Sequence, residues 1–250
     1  MERIEKTGFG EMKLIQDPED FCYGIDAVIL ADFSNSICPD AETIVDLGTG
    51  NGIIPLILSH KNRKASITGI ELQAKPAEMA RRSIEMNGLQ NRLSIKQGDI
   101  AEPEVYSGMY ADMVTCNPPY FSKGGGIPNE KRAKFIARHE TTAVFEDFAK
   151  AAATLLNGKG DFFIVHRPSR LVDIFYYCRK YKLEPKTIRF VAPKEGCNPN
   201  IVLIHCTANG GKELKFRQTL FVYNQDGSYT DEIHQIYERK SEQCHINLQI

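Results

Sequence analysis

No cysteine in this chain stands in a C-x-x-C pair. The seven present, Cys22, Cys38, Cys116, Cys178, Cys197, Cys206 and Cys244, are scattered and odd in number. That pattern argues against a disulfide framework and against a thiolate zinc site. The six histidines show no paired metal-ligand spacing either, so no metal is expected. No apolar run approaches the roughly 20 residues that cross a bilayer, and the opening MERIEKTGFG lacks the apolar stretch of a secretory leader. A cytoplasmic protein without membrane contact is expected. Internal repeats and low-complexity linkers are also missing, and the net charge of −1 offers no global attraction for a polyanion.

What is there reads as a globular chain. At 250 residues, 42% apolar and 25% charged, it is long enough for a sizeable core and matches one α/β domain. Charge is uneven along it. Residues 159–217 carry twelve Lys/Arg against five Asp/Glu, and residues 123–138 carry five against one. Such stretches can bind an anionic polymer locally, or simply form solvated faces.

From position 43 short β-rich runs alternate with helical stretches. TIVDLGTG (43–50), ITGIEL (67–72), LSIKQGDI (93–100), ADMVTCNPPY (111–120), GDFFIVHRP (160–168), KTIRFVAP (186–193) and NIVLIHCTA (200–208) read as strands. GIIPLILSHK (52–61), residues 74–88 closed by Asn87-Gly88, and segments near 145–157 and 169–181 read as helices. The alternation predicts a doubly wound, mainly parallel sheet covered on both faces. Ligands bind such sheets beyond the carboxyl ends of the strands. There the polar punctuation falls: Asp46, Glu71, Asp99 and Asn117 each mark the end of one of four successive strands.

Asp46-Leu47-Gly48-Thr49-Gly50-Asn51-Gly52 places a G-x-G-x-G turn after an apolar strand, and Glu71 follows 19 residues beyond Gly52. An acid at that point can accept from both hydroxyls of a ribose, with Leu72 beside it. A nicotinamide cofactor would also explain a glycine turn plus an acid. The G-x-G-x-G spacing and the carboxylate of Asp46 suit a cofactor bearing an ammonium group better than one bearing a pyrophosphate. Gly98-Asp99-Ile100 then suits an adenine, the acid at its amino group and Ile100 against the ring. The plain alternative is that Asp46, Glu71 and Asp99 cap helices.

Asn117-Pro118-Pro119-Tyr120 is the most specific signal. Two prolines fix φ and remove two backbone donors, and the first pushes Asn117 into an extended conformation. The result is a rigid loop presenting two acceptors, the Asn117 side-chain carbonyl and the Pro118 backbone carbonyl. They match the two N–H bonds of a planar amino group, with Tyr120 placed to stack on a flat target. A strand-terminating turn is the alternative.

With these motifs the sequence resembles class I S-adenosylmethionine-dependent methyltransferases of the N6-adenine type, whose (D/N)PP(Y/F) motif matches Asn117–Tyr120. More narrowly it is similar to the tRNA(Val) adenine-37 N6-methyltransferase group. That likeness is carried also by Tyr23–Ala31, Ala137–Glu140, Val165–Pro168, Leu183–Lys186 and Tyr229–Glu232. The resemblance implies a Rossmann-like methyltransferase fold using S-adenosyl-L-methionine. It assigns Asp46, Gly48, Thr49, Gly50, Gly52, Glu71, Leu72, Asp99, Ile100 and Asn117 to the cofactor, with Tyr23, Gly24 and Asp26 closing over its methionine end. It makes Asn117, Pro118, Pro119 and Tyr120 catalytic.

Residues 121–140 contain Gly124-Gly125-Gly126 and show no helical or strand pattern. The stretch is too long for a plain connector. Lys123, Lys131, Arg132, Lys134 and Arg138 make it a candidate clamp on tRNA phosphates, or else a solvated loop. The expectation is one methyltransferase domain over 1–250, a monomer or weak dimer, with residues 1–40 as an N-terminal extension over the cofactor crevice and 121–140 as a substrate loop. The expected reaction is methylation of an adenine N6 in tRNA. A protein glutamine N5-methyltransferase of the release-factor type is the nearest rival, because an amide nitrogen is planar too. A non-catalytic RNA-binding protein of the same fold is the rival from another class.

Overall fold

Sixteen elements of regular structure, besides two short 3-10 turns, order the residues described in a computed structural model: 1–18, 22–118 and 143–238. The strands are β1 (Arg3–Lys6), β2 (Lys13–Gln16), β3 (Thr43–Leu47), β4 (Ser66–Glu71), β5 (Leu93–Gln97), β6 (Met113–Cys116), β7 (Asp161–His166), β8 (Leu183–Ala192), β9 (Ile201–Ala208) and β10 (Lys215–Phe221). The helices are α1 (Ile25–Ile37), α2 (Ile53–Lys61), α3 (Ala74–Met86), α4 (Ala143–Leu156), α5 (Leu171–Lys180) and α6 (Asp231–Ile236).

Eight strands form one mixed, mostly parallel sheet in the order β10-β8-β9-β7-β6-β3-β4-β5. β5, β4, β3, β6 and β7 run parallel. β9 is antiparallel to both β7 and β8, and β10 is parallel to β8. Strand order reverses at β3, which lies between β4 and β6, so the crevice beyond its carboxyl end is where such a sheet takes a ligand.

Two cores explain the layers. α1, α2 and Ile84 of α3 pack on one face with Phe163 and Val165 of β7. α4 and α5 pack on the other with Val45, Val114, Phe162 and Ile164. Alternating strand residues thus feed opposite cores, the condition for a sheet buried on both sides. In α1 the eight residues from Asp26 to Phe33 include only one that is not buried, and the ring of Phe33 meets Phe163 edge-on at 5.9 Å. Each fully buried side chain of this kind contributes about 1.5–3 kcal/mol.

The segment before β3 has two parts. The β1–β2 hairpin lies along α3, where Ile15 N–H donates to Ser83 Oγ and Lys13 N–H to Asn87 Oδ1, both at 2.9 Å. α1 instead covers the sheet beside α2. α3 ends where expected, with Asn87 as its cap and Gly88 at φ +65°.

Candidate active site

Asp46 lies one residue before the end of β3, paired in register with Gly69 of β4 on one side and Thr115 of β6 on the other. It is fully buried. Its Oδ1 accepts a 2.6 Å hydrogen bond from Thr115 Oγ1, and its Oδ2 has no partner. Burial pushes its carboxyl up to about 7. The hydroxyl of Thr115 opposes that shift and the charge of Glu71 adds to it.

The turn after β3 is built on left-handed glycines, Gly48 at φ +69°, Gly50 at +57° and Gly52 at +83°, a conformation that side chains disfavour. Gly48 and Thr49 N–H both donate to the Ile70 carbonyl of β4, at 2.9 and 3.0 Å. A side chain at Gly48 would press on the Phe148 ring of α4, whereas the space above Gly50 is open. Glu71 braces this turn. Its Oε2 accepts from Gly50 N–H and its Oε1 from Gln73 N–H, both at 2.8 Å. Burial raises the Glu71 carboxyl, and those N–H groups and that of Leu72 act against the shift. Leu72, next along, is 40% exposed at the rim.

Gly98 N–H donates to the Glu71 carbonyl at 2.9 Å, bringing the end of β5 into the same rim. Asp99 and Ile100 are half-buried there, and Asp99 Oδ1 accepts from Ala101 N–H at 2.9 Å. None of the three acids supplies the N-cap side chain of α2 or α3, whose caps are Gly52 and Gln73 without side-chain hydrogen bonds. Asn117 follows β6 directly, one step past the register pair Leu47–Cys116, so it stands beside the start of the glycine turn. It is half-buried and Pro118 is buried.

Tyr23 and Ile25 pack on the core around α1 and α2, and Gly24 is the N-cap of α1. Asp26 Oδ1 accepts from the adjacent Ala27 N–H at 3.0 Å. Pro119, Tyr120, Lys123, Lys131, Arg132, Lys134 and Arg138 lie outside the described residues. Of the basic excess in 159–217, Arg170, Arg179, Lys180 and Arg189 are engaged with Asp173, Glu184, Glu146 and Glu232. At the end of β7, His166 is buried, and burial with the nearby Arg170 charge lowers it to about 4, so its ring is neutral.

Two residues escape the sequence motifs, and a third stands inside one without a role read for it. Gly69 leaves room for Thr49: a Cβ there would lie 2.6 Å from Thr49 Cγ2 and 2.8 Å from Ile95 Cδ1. Thr115 holds Asp46. Asn51 is buried with Nδ2 unpartnered. A glycine inside an apolar strand was the readable sign for Gly69. A cavity of about 530 Å³ opens at the opposite rim, between Cys38, Asp112 and Asp161. None of the motif residues lines it.

Asp46 Oδ2, Thr49 Oγ1 and Asn51 Nδ2, all buried and unpartnered, surround a turn whose central glycine faces open space. Buried polar atoms left in this way require a ligand or water. Fold and site together define an α/β methyltransferase. The family model described as "Methyltransferase small domain" matches residues 21–173, and the chain belongs to that family. It is an enzyme, and S-adenosylmethionine is its cofactor. The tRNA1(Val) (adenine(37)-N6)-methyltransferase of Porphyromonas gingivalis is 29% identical over 182 residues, 68% of this chain and 71% of that one. The protein of the same name from Aeromonas salmonicida is 26% identical over 211 residues, 83% and 85% of the two chains. A solved structure, a predicted O-methyltransferase from Agrobacterium tumefaciens, shares the fold with a TM-score of 0.67 at 22% identity, covering 85% of this chain and 95% of that one.

Proposed function

We propose that the chain methylates the N6 amino group of an adenine in tRNA. The observation that carries this reading is the position of Asn117-Pro118 at the end of β6, beside the glycine turn that ends β3. When bound, S-adenosylmethionine supplies a methyl group on a sulfonium, an electrophile needing no further activation. Asn117 and Pro118 offer acceptors to both N–H bonds of the target amine. Holding both hydrogens favours the pyramidal nitrogen with developing positive charge over the flat, delocalised one, which is selective stabilisation of the transition state. Pro119 shapes the loop, and Tyr120 stacks on the base.

Glu71 takes the ribose hydroxyls, using lone pairs that remain after its two backbone hydrogen bonds. Asp99, Ile100 and Leu72 hold the adenine of the cofactor. Asp46 and the turn Gly48–Gly52 hold its charged methionine part, and Tyr23, Gly24 and Asp26 close that end. Lys123, Lys131, Arg132, Lys134 and Arg138 grip RNA phosphates.

The names of the curated relatives support RNA over a protein amide. The cytoplasm, where tRNA is found, is the compartment that goes with this reading. The test is methyl transfer to total tRNA from cells lacking the enzyme, followed by nucleoside analysis. N6-methyladenosine is the expected product; its absence, with or without methylation of a release factor, overturns the reading.

A further inference from the structure

The carboxyl rim of the sheet continues well beyond Asn117. β9 runs opposite to β7, β8 opposite to β9, and β10 with β8. The segments 167–170, 193–200 and 222–230 therefore all emerge on the same rim as the catalytic motif. They are tied into one surface. Arg167 Nη1 donates to the Asn200 carbonyl at 3.1 Å, Tyr223 N–H to the Pro193 carbonyl at 2.8 Å, and Gln225 Nε2 to the Glu195 carbonyl at 3.2 Å.

Tyr223 is the aromatic residue of this surface that reaches solvent most openly. Its ring lies stacked on Tyr229, centroids 5.1 Å apart and planes 18° apart, yet it is 37% exposed. Tyr229 is fixed in turn by His234, edge-on at 6.1 Å, and by packing on the core. The pair is thus a rigid aromatic step, backed on one side. Around it are exposed amides, Asn198, Asn200, Asn224 and Gln225. The acids Glu195 and Asp226 stand in the same loops as Lys194, whose charge acts on Asp226. A near-neutral surface of amides and a braced ring suits bases rather than phosphates, since amides both donate and accept and every base has a face to stack.

We infer that Tyr223 is a stacking shelf for an unpaired nucleobase a few nucleotides along the strand from the adenine being methylated, with Arg167 and the loop amides lying along the strand between the two. This inference rests on the RNA reading above. Four strand spacings separate β6 from β10, about 19 Å at ~4.8 Å each. The shelf therefore holds a base a few nucleotides from the target and not the target itself.

The test is steady-state methyl transfer to tRNA at several salt concentrations by the wild type, Tyr223→Ala and Tyr223→Phe, with cofactor affinity measured by calorimetry. Loss of one base stack raises KM for tRNA about five- to 150-fold in the alanine variant. Turnover at saturation and cofactor affinity stay within about twofold of the wild type. The phenylalanine variant keeps the wild-type KM. The salt dependence of KM does not change slope, because no phosphate contact is lost. An alanine variant with wild-type KM overturns the shelf, and so does a phenylalanine variant as impaired as alanine, or a parallel loss of cofactor affinity. A wild-type protein that forms no N6-methyladenosine overturns the RNA reading and the shelf together.

Discussion

Thr115 Oγ1 reaches across from β6 to hold one oxygen of Asp46 at 2.6 Å, and the other oxygen of that carboxylate is buried with nothing to hold it. In the folded chain Asp46 keeps its proton up to about pH 7; in the unfolded chain it loses it near the ordinary value of 3.8. Between those limits the folded state binds more protons, so stability falls as pH rises through the window and levels off above about 7. Asp46→Asn removes this cost. The variant is expected to be more thermostable than the wild type in the absence of cofactor, by a margin that grows from pH 5 to pH 7 and is constant above it. Thermal midpoints across that range check this; a margin independent of pH would remove charge burial as the cause.

In the proposed site the same carboxyl is expected to make cofactor binding depend on pH. A cationic ligand favours the ionised form, so below about pH 7 a proton must leave before it binds. Affinity for S-adenosylmethionine is expected to weaken as pH falls from 7 to 6 in the wild type and to be weaker but flat in Asp46→Asn. Calorimetry at both values decides it.

Glu71→Gln is expected to weaken cofactor binding by about 1–3 kcal/mol, since the ribose hydroxyls lose a charged acceptor. Glu71→Ala should cost more, because Gly50 and Gln73 N–H also lose their partner. Equal dissociation constants for both variants and the wild type would take Glu71 out of the site.

Asn117→Ala is expected to leave cofactor affinity nearly intact while lowering turnover by 10²–10³, about 2.7–4 kcal/mol, by analogy with deletion of one oxyanion-hole donor. A variant retaining more than about a tenth of the wild-type rate would not fit a transition-state acceptor.

Replacing Lys131, Arg132 and Lys134 together with Ala is expected to weaken tRNA binding and flatten its salt dependence. Each lost phosphate contact lowers the slope of log affinity against log salt by about 0.7–0.9. Wild-type affinity and slope in the triple variant would leave the loop without that role. This outcome differs in kind from that expected at Tyr223, where affinity changes and slope does not.

The segment from β3 to β6 was legible because parallel strands buried on both faces read as continuous apolar runs, each punctuated by a polar residue at the rim. α1 was not legible for the opposite reason. Packed against α2 on one side and the sheet on the other, IDAVILADFSNSI is apolar nearly all round and carries no 3.6-residue period. β10 begins KFRQ, largely exposed, and gives no alternation, while α6 is a six-residue helix too short to show one. β8 begins at Leu183, before the run KTIRFVAP, and accommodates Pro185 at a register irregularity. At the candidate site, residue types and spacing single out Asp46 and Glu71, but not what they do to each other's surroundings. That Glu71 would grip the glycine turn, and that Asp46 would need Thr115, depends on cross-strand register, which no spacing within one strand encodes.

The β1–β2 hairpin has a consequence for how the chain is made. Its hydrogen-bonding partners, Ser83 and Asn87, lie 68 and 74 residues downstream of Ile15 and Lys13. As the polypeptide leaves the ribosome, β1 and β2 emerge before the helix they hydrogen-bond to and wait until α3 has followed them out. Two strands alone are marginal in water, so β1 and β2 find their place only after residues made well after them have emerged. A nascent chain halted before α3 has fully emerged should therefore leave β1 and β2 open to protease, and one halted after it should protect β2 better.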